Sequence, residues 1–230
     1  MGRGISASRR YSCLMGAVKS TNVARPQQDP GGAERVSGID KRPAGQITIA
    51  APGPNYGDGS GVAGDTIGDI KHHGGAEKAV YAFARERLDI WQTQLGRTLD
   101  DGTFGENLTT TGIDWPDVLI NQRFRVGEAE LQVSVPRSPC RTFAGWMGEP
   151  GWVRRFAASG DCGSYLRVIT PGVVRPGDVV EALDEPAHGV TMREAFAAVM
   201  GDDAVARRIW ELRILPQPYQ GRWDRRFSHV

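Results

Sequence analysis

Short apolar segments separated by glycine-containing turns run from residue 15 to about residue 182, and this pattern limits the fold more than any other feature. Thirty of the 230 residues are glycine, and Gly57-Asp58-Gly59, Gly64-Asp65 and Gly177-Asp178 are typical turn sequences. Every second residue is apolar over residues 129–135, which predicts a strand with one buried face. Gly127-Glu128 predicts a hairpin turn before it. Such a chain is expected to form a curled β-core that closes into a barrel, because closure removes exposed strand edges.

Helical patterns accompany this core. Apolar residues recur at helical spacing from Val80 to Leu95, which predicts one helix inside the β-rich region. After residue 185 the composition changes: Thr191 and Glu194 form a capping box for a helix that ends near Gly201, and two further short helices follow. Three helices of this length cannot hold a core of their own, so they are expected to pack on the main domain or on a second copy of the chain.

The predicted fold class is therefore α+β and β-rich, with a barrel-like core, peripheral helices and a small C-terminal three-helix segment. We divide the chain into a disordered leader over residues 1–14, a main domain over residues 15–185 and a helical appendage over residues 190–228. The leader holds Arg3, Arg9 and Arg10 and no acidic residue, but it lacks the apolar stretch of a secretory signal. Met15 is interpreted as the true start.

Composition excludes several classes of function. No apolar run approaches the roughly 20 residues that cross a bilayer, so no membrane span is predicted. The formal net charge is +1, which provides no overall attraction for nucleic acid. The three cysteines, Cys13, Cys140 and Cys162, cannot all be paired in disulfides, which indicates a reducing compartment or an extracellular protein with a leftover thiol. The cytoplasm is the simpler interpretation.

The densest chemistry lies around one cysteine. In Arg137-Ser138-Pro139-Cys140-Arg141 the thiol stands between two arginines in a segment stiffened by proline. Neighbouring cations stabilise a thiolate, so Cys140 is expected to have a lowered pKa and to act as a nucleophile or as a ligand of a soft metal. The motif by itself is equally compatible with a buried, inert cysteine.

Two further clusters hold polar side chains suited to a ligand. His73 precedes Gly74-Gly75, a glycine pair expected to leave backbone N–H groups free at the start of the predicted helix. Glu106 and Asn107 stand between a glycine and a hydroxyl-rich strand. Taken separately, each cluster is also typical of an ordinary turn.

Taken together and in chain order, the motifs resemble one known family. They are Gly64-Asp65, His73-Gly74-Gly75 with Lys78-Ala79-Val80, Phe104-Gly105-Glu106-Asn107-Leu108, Pro136-Arg137-Ser138-Pro139-Cys140, Gly163-Ser164-Tyr165, and Pro171-Gly172 with Gly177-Asp178. The set is similar to the MOSC family, named for the C-terminal domain of molybdenum-cofactor sulfurase. The helices after residue 189 resemble the appendage of the branch that contains the bacterial 6-N-hydroxylaminopurine reductase.

The resemblance implies a barrel-like domain that binds the molybdenum cofactor, a molybdopterin, with Cys140 as the molybdenum ligand. It implies that Asn107 and Glu106 hydrogen-bond the pterin or the substrate, and that Glu106 and His73 act in catalysis as proton sources. Other residues are assigned to cofactor binding by the same resemblance: Lys19, Ser20, Arg137 and Ser138, of which the Lys-Ser pair and Arg137 would contact the pterin phosphate.

The function that the resemblance implies is reduction of N-hydroxylated compounds to amines, a detoxification. The substrates would be small molecules such as hydroxylaminopurine or amidoximes, and electrons would come from a separate flavin or iron–sulfur protein. Fold and motif are shared by proteins of other activities. A non-catalytic module that carries the cofactor, or a sulfur atom on Cys140, therefore stays open as the alternative.

Overall fold

A closed ring of strands forms the centre of the computed structural model, which describes residues 14–228. The described strands are β1 (Met15–Ala24), β2 (Gln27–Gln28), β3 (Val36–Ser37), β4 (Lys41–Ala44), β5 (Ile47–Ile49), β6 (Val80–Ala84), β7 (Leu108–Thr111), β8 (Arg123–Val126), β9 (Ala129–Val133), β10 (Ser164–Thr170), β11 (Gly172–Val174) and β12 (Val179–Ala182). The described α-helices are α1 (Arg85–Leu95), α2 (Arg141–Met147), α3 (Trp152–Ser159), α4 (Met192–Met200), α5 (Asp203–Leu212) and α6 (Gln217–Phe227).

Seven of the described strands close the barrel. Their order is β12-β8-β9-β10-β6-β7-β1, and β1 pairs again with β12. Within this described ring β6 and β7 run parallel, while the other neighbours run antiparallel. Strand β4 pairs with β1 outside the ring. The structure confirms the predicted α+β, β-rich fold with a barrel core.

The hairpin of β8 and β9 shows why part of the fold was predictable. Phe124 pairs with Leu131 and Val126 with Ala129, across the turn at Gly127-Glu128. These apolar side chains are fully buried while the residues between them reach solvent or are half-buried. A strand that faces the core on one side alternates in this way, and the alternation is visible in the sequence.

The helix predicted from Val80 is wrong over its first five residues. Val80–Ala84 is the barrel strand β6, and α1 begins only at Arg85. All five strand residues are buried, because β10 and β7 pair with β6 and both of its faces are covered. A strand buried on both faces has no apolar-polar alternation, so periodicity could not distinguish it from a buried helix.

The three C-terminal helices pack on the rest of the chain. The predicted capping box of Thr191 and Glu194 is present at the start of α4. Phe196 in α4 meets the ring of Phe156 at 6.4 Å between centroids, and the Asn121 side chain donates a 3.0 Å hydrogen bond to the carbonyl of Ile214. The predicted division into a domain over residues 15–185 and an appendage over residues 190–228 stays a prediction. The leader predicted for residues 1–14 lies outside the described residues except for residue 14.

An aromatic cluster supports the loops on one side of the barrel. Phe104 and Phe143 contact each other edge to face at 5.2 Å, and Phe143 contacts Phe156 at 5.1 Å. Trp91 and Trp152 complete the cluster at 4.9 Å between their ring centroids. The cluster fixes both the loop that leads into residues 105–107 and the helix that follows Cys140. Among residues 14–228, none of the helices is both long and apolar enough to span a bilayer.

Candidate functional site

Cys140 lies where two cavities meet. An inner cavity of about 100 Å³ is lined by buried and half-buried residues, and an outer cleft of about 510 Å³ opens to the surface. Among the described residues, seven line both spaces: Arg35, Asp69, His73, Lys78, Cys140, Thr142 and Tyr165. The Cys140 residue is partly buried. Cys162, by contrast, is fully buried in the apolar core and lines neither space.

Backbone contacts on both sides hold Cys140 in place. The segment from β9 to Cys140 continues along the barrel, where Tyr165 N–H donates to the Val135 carbonyl at 3.0 Å. Cys140 then caps α2, and its carbonyl accepts from Ala144 N–H at 3.0 Å. The thiol is thus held by the barrel on one side and by a helix on the other.

Cations and aspartates both line the inner cavity, and among the described residues Lys78 and Arg137 are its cations without a carboxylate partner. Arg137 is 5% exposed, and its guanidinium lies 3.7 Å from the centroid of the Phe143 ring. Its Nη1 atom is buried without a hydrogen-bond partner among the described residues. Lys41 is also buried and is paired with Asp65. An unpaired buried guanidinium nitrogen is costly, so the cavity is suited to an anionic or hydrogen-bond-accepting ligand.

Arg35 links the inner cavity to the helix that follows Cys140. Its Nε donates to Asp29 at 2.8 Å and its Nη1 lies 3.0 Å from Asp69. The Asp29 carboxylate also accepts from the Thr142 hydroxyl at 3.0 Å. This network connects the loop after β2 with α2, although sequence reasoning assigned Arg35 and Asp29 no role.

His73 reaches the site as predicted. Its Nδ1 lies 3.1 Å from the Tyr165 hydroxyl. Burial, together with the positive charges of Lys78 and Arg137, lowers the pKa of His73 to about 3. Burial raises the pKa of Tyr165 to about 12. Both side chains are therefore neutral at physiological pH, and one hydrogen bond joins them.

Lys78 is a site residue that sequence reasoning did not assign. Its Nζ donates to the His72 carbonyl at 2.7 Å and lies 4.9 Å from the centroid of the Tyr56 ring and 5.4 Å from that of Tyr165. Burial lowers the pKa of Lys78 to about 8, although Asp69 and the Cys140 sulfur act in the opposite direction. A group with this pKa can donate a proton near neutral pH. The sequence signal that could have identified Lys78 was its position in the motif that follows Gly74-Gly75.

Asn107 and Glu106 occupy different environments. Asn107 lines the inner cavity, where its amide donates to Asp65 at 2.9 Å and its oxygen accepts from Tyr81 N–H at 3.2 Å. Glu106 is fully buried and lines neither cavity.

The carboxylate of Glu106 braces its own loop. It accepts hydrogen bonds from Gly102 N–H, Phe104 N–H and the Thr109 hydroxyl at 2.7, 2.9 and 2.8 Å. Burial raises the pKa of Glu106 to about 7 in spite of these bonds. Its position supports a role in shaping the loop, not direct contact with a ligand.

Three other predicted residues are not brought into the inner cavity. Lys19 is exposed and lies outside both spaces, whereas Ser20 is buried and donates to the Asn22 side chain at 2.8 Å. The strand register shifts at this point, and with Lys19 in solvent and Ser20 turned to Asn22 the two side chains do not meet in one site. Ser138 is exposed at the rim of the outer cleft.

The turn after His73 differs from the expected helix start. Gly75 N–H is bonded to the Gly59 carbonyl at 2.9 Å, and residues 76–78 form a single 3-10 turn before β6. Gly75 has a φ of +73°, and a Cβ there would lie 2.1 Å from the Asn55 carbonyl oxygen. The glycine permits a close approach of two loops, and its N–H is not free to bind an anion.

Comparison with known proteins agrees with this arrangement. The sequence profile described as "MOSC domain" matches residues 69–181. The chain is 35% identical over 187 residues to the uncharacterized protein YflK of Bacillus subtilis, covering 81% of this chain and 79% of YflK. The chain belongs to the MOSC domain family.

Two further similarities concern structure and name. The MOSC fold seen here matches the crystal structure of YiiM from Geobacillus stearothermophilus with a TM-score of 0.72 and 25% identity, covering 92% of this chain and 98% of that one. A protein of Gibberella moniliformis named "Reductase" is 30% identical over 151 residues, which cover 62% of this chain but 27% of that protein. The chain therefore matches about a quarter of that longer protein.

MOSC domains are associated with molybdenum-cofactor binding in general, and the side chains around Cys140 suit such a group in their chemistry. The described residues contain no group of three or more His, Cys, Asp or Glu side chains arranged to hold a metal. Cys140 is thus a single soft donor, which suits a metal whose other ligands come from an organic cofactor. The unpaired Arg137 Nη1 suits an anionic or carbonyl-bearing part of the same group.

Proposed function

We propose that this MOSC protein is a molybdenum-cofactor-dependent oxidoreductase that reduces small N-hydroxylated compounds to amines, with Cys140 as the molybdenum ligand. One observation carries the proposal: the Cys140 residue borders both an inner cavity that holds the unpaired Arg137 Nη1 and a wider outer cleft. The donors of the first space suit an anionic or carbonyl-bearing part of a cofactor, and the second space suits a substrate. A shared border at a soft ligand brings the two together.

The residues that would hold the cofactor are those of the inner cavity. Cys140 would bind the metal, and Arg137, Arg35 and Asn107 would contact the pterin or its phosphate. When bound, the cofactor supplies two electrons to the N–O bond, so that two protons are taken up, water leaves and the amine remains. The protein binds and orients the partners and provides the protons.

The proton supply rests on Lys78 and on the Tyr165–His73 pair. Lys78 Nζ borders both spaces and holds a proton near neutral pH, because its pKa is about 8. The neutral imidazole of His73 keeps the Tyr165 hydroxyl oriented at 3.1 Å. Lys78 is therefore the proton donor to the leaving oxygen, and His73 positions Tyr165. Glu106 takes no part, because it lies outside both spaces.

Similarity supports the reaction type but not the substrate. A relative carries the name "Reductase", and the fold is that of YiiM. Electrons would come from a separate flavin or iron–sulfur protein, and the reaction would take place in the cytoplasm. No nucleic-acid or membrane partner is proposed.

Metal content tests the ligand assignment. The protein is purified from cells that make the cofactor, and molybdenum is measured by mass spectrometry for wild type, Cys140→Ala and Cys162→Ala. Cys162 is the matched control, since it is a described cysteine that lines neither space. We expect molybdenum in the wild type and in Cys162→Ala only. Equal molybdenum in Cys140→Ala would overturn the assignment.

Turnover separates the reductase from a carrier. Hydroxylaminopurine and benzamidoxime are offered with reduced viologen, so that the natural electron donor is not needed. Amine formed by the wild type and lost in Cys140→Ala supports the reductase. Bound molybdenum with no turnover of either compound supports instead the module that carries the cofactor or a sulfur atom.

A further inference from the structure

The C-terminal helices build the far wall of the outer cleft. Pro218, Tyr219 and Arg222 of α6 and Val199 of α4 line it together with Cys140. These residues follow Cys140 by about a quarter to a third of the chain, and no motif in the sequence marks them. The three-helix segment thus forms part of the proposed substrate space as well as packing on the barrel.

Three tyrosine side chains contribute to the lining of the outer cleft. Tyr56, Tyr165 and Tyr219 all line the cleft. Burial raises the pKa of Tyr219, and the nearby hydroxyls of Tyr56 and Tyr165 act in the same direction. Within residues 14–228 the hydroxyls of Tyr56 and Tyr219 have no hydrogen-bond partner. Such surfaces suit a planar ring whose edge carries hydrogen-bonding atoms.

The charge of the cleft is positive. Arg35, Lys78, Arg141 and Arg222 line it, whereas Asp69 is the acidic residue among the described lining and is paired with Arg35 at 3.0 Å. Glu77, which lies close enough to affect Tyr219, is paired with Arg167 at 2.7 Å.

Two of these cations are available to a ligand. Neither Arg141 nor Arg222 forms an ion pair with another of the described side chains, and both are exposed. Arginine presents a planar set of donors that matches a phosphate. Tyr219 and Arg222 lie on the same helix, one turn apart, so one ligand can contact both.

We propose that the outer cleft binds a planar heteroaromatic compound that carries an anionic group, in the manner of a nucleoside monophosphate, with the ring against Tyr56 and Tyr219 and the phosphate at Arg222. The inference rests on the proposed function, since it assigns to the N-hydroxylated substrate a nucleotide form over the free base. The cleft volume of about 510 Å³ is within the range of small-molecule sites.

Binding to the cofactor-free protein tests this inference without any redox chemistry. Adenosine monophosphate, adenosine and inorganic phosphate are titrated by calorimetry into the full chain. We expect adenosine monophosphate to bind about tenfold or more tightly than either fragment, and its affinity to fall as salt is raised. Equal affinities for adenosine and adenosine monophosphate would overturn the proposed phosphate contact.

Matched arginine variants locate the contact. Arg222→Ala is compared with Arg225→Ala, which removes the same charge from an exposed position of α6 that does not line the cleft. We expect Arg222→Ala to abolish the preference for the monophosphate and Arg225→Ala to retain it. Equal effects of the two variants would mean that only the overall charge matters and would overturn the assignment.

A ring variant tests the aromatic wall. Tyr219→Leu should weaken adenosine and adenosine monophosphate by a similar factor, about fivefold to tenfold, because both present the same ring. Tyr219→Phe keeps the ring and should restore most of the affinity. Full affinity in Tyr219→Leu would overturn the ring contact.

Failure of this inference is distinguishable from failure of the proposed function. Molybdenum content and reduction of uncharged benzamidoxime report on Cys140 and not on phosphate recognition. If adenosine monophosphate does not bind but benzamidoxime is still reduced, the inference of nucleotide binding is rejected and the proposed function is not. Nucleotide binding without molybdenum rejects the proposed function alone.

Discussion

Nδ1 of His73 lies 3.1 Å from the hydroxyl of Tyr165, and this hydrogen bond joins a surface loop to barrel strand β10. The two rings are 6.2 Å apart between centroids and border both the inner cavity and the outer cleft. Because the imidazole is buried and the positive charges of Lys78 and Arg137 lie nearby, its pKa is lowered and it stays neutral. The pair is a fixed, uncharged element in a cationic site.

Acid should destabilise the protein through His73. Its pKa is about 3 when folded and 6.5 when unfolded, so between these values the unfolded chain binds a proton that the folded chain does not. The free energy of unfolding should therefore fall as pH is lowered from 6.5, by up to about 1.4 kcal/mol per pH unit. Urea titrations from pH 7 to 4.5 measure it, and His73→Asn should flatten the dependence. His72→Asn, at an exposed position, is the control, and an unchanged slope in His73→Asn would contradict the prediction.

Arg137→Met should separate ligand binding from stability. Since Arg137 Nη1 is unpartnered in the described structure, replacing the guanidinium should lower the free energy of unfolding of the cofactor-free protein by less than about 1 kcal/mol, or raise it. Molybdenum content after purification should fall about tenfold or more, because a charged contact to the cofactor is lost. Phe143→Ala, which removes the ring beneath Arg137, should cost about 3–5 kcal/mol. A comparable loss of stability in Arg137→Met would show that Arg137 is structural.

Glu106→Gln should lower the free energy of unfolding without loss of bound molybdenum. A carboxylate can accept from Gly102 N–H and Phe104 N–H at once, whereas an amide turns its NH₂ group toward one of these donors. The expected cost is about 1–3 kcal/mol in the free energy of unfolding. Glu86→Gln is the matched control, since Glu86 accepts one backbone N–H at an exposed position. Molybdenum should be retained, and its loss without destabilisation would contradict the bracing role.

Loss of the Lys78 proton should lower the turnover rate at alkaline pH. Below its pKa of about 8 the ammonium can give a proton to the leaving oxygen, and above it the rate should fall. Benzamidoxime reduction measured from pH 6 to 10 should decline with a midpoint near pH 8. Lys78→Met should lower kcat by roughly 10²–10⁴-fold. The exposed Lys71 supplies the control Lys71→Met, and a wild-type rate in Lys78→Met would refute the proton donor.

Much of the site was predictable because its residues stand in short local motifs. Cys140, His73, Asn107 and Arg137 all line the inner cavity, although they come from three segments that are far apart in the chain. Glu106 came from the same reasoning, but its carboxylate turns inward to three donors of its own loop. Residue type and spacing indicate that a loop carries functional polar side chains. They do not indicate on which side of that loop each group lies.

Sequence alone determined the hairpin of β8 and β9, the capped start of α4 and the constrained Cys140 segment, because alternation, capping and proline stiffness act between near neighbours. Only the tertiary structure decided that Val80–Ala84 is a strand, since its burial depends on partners distant in the chain. The same holds for Tyr219 and Arg222, which reach the Cys140 cleft only when α6 packs beside the barrel. Local sequence propensities decide where helices and strands form. Which faces of these elements pack together is decided by how the whole chain buries its apolar surface.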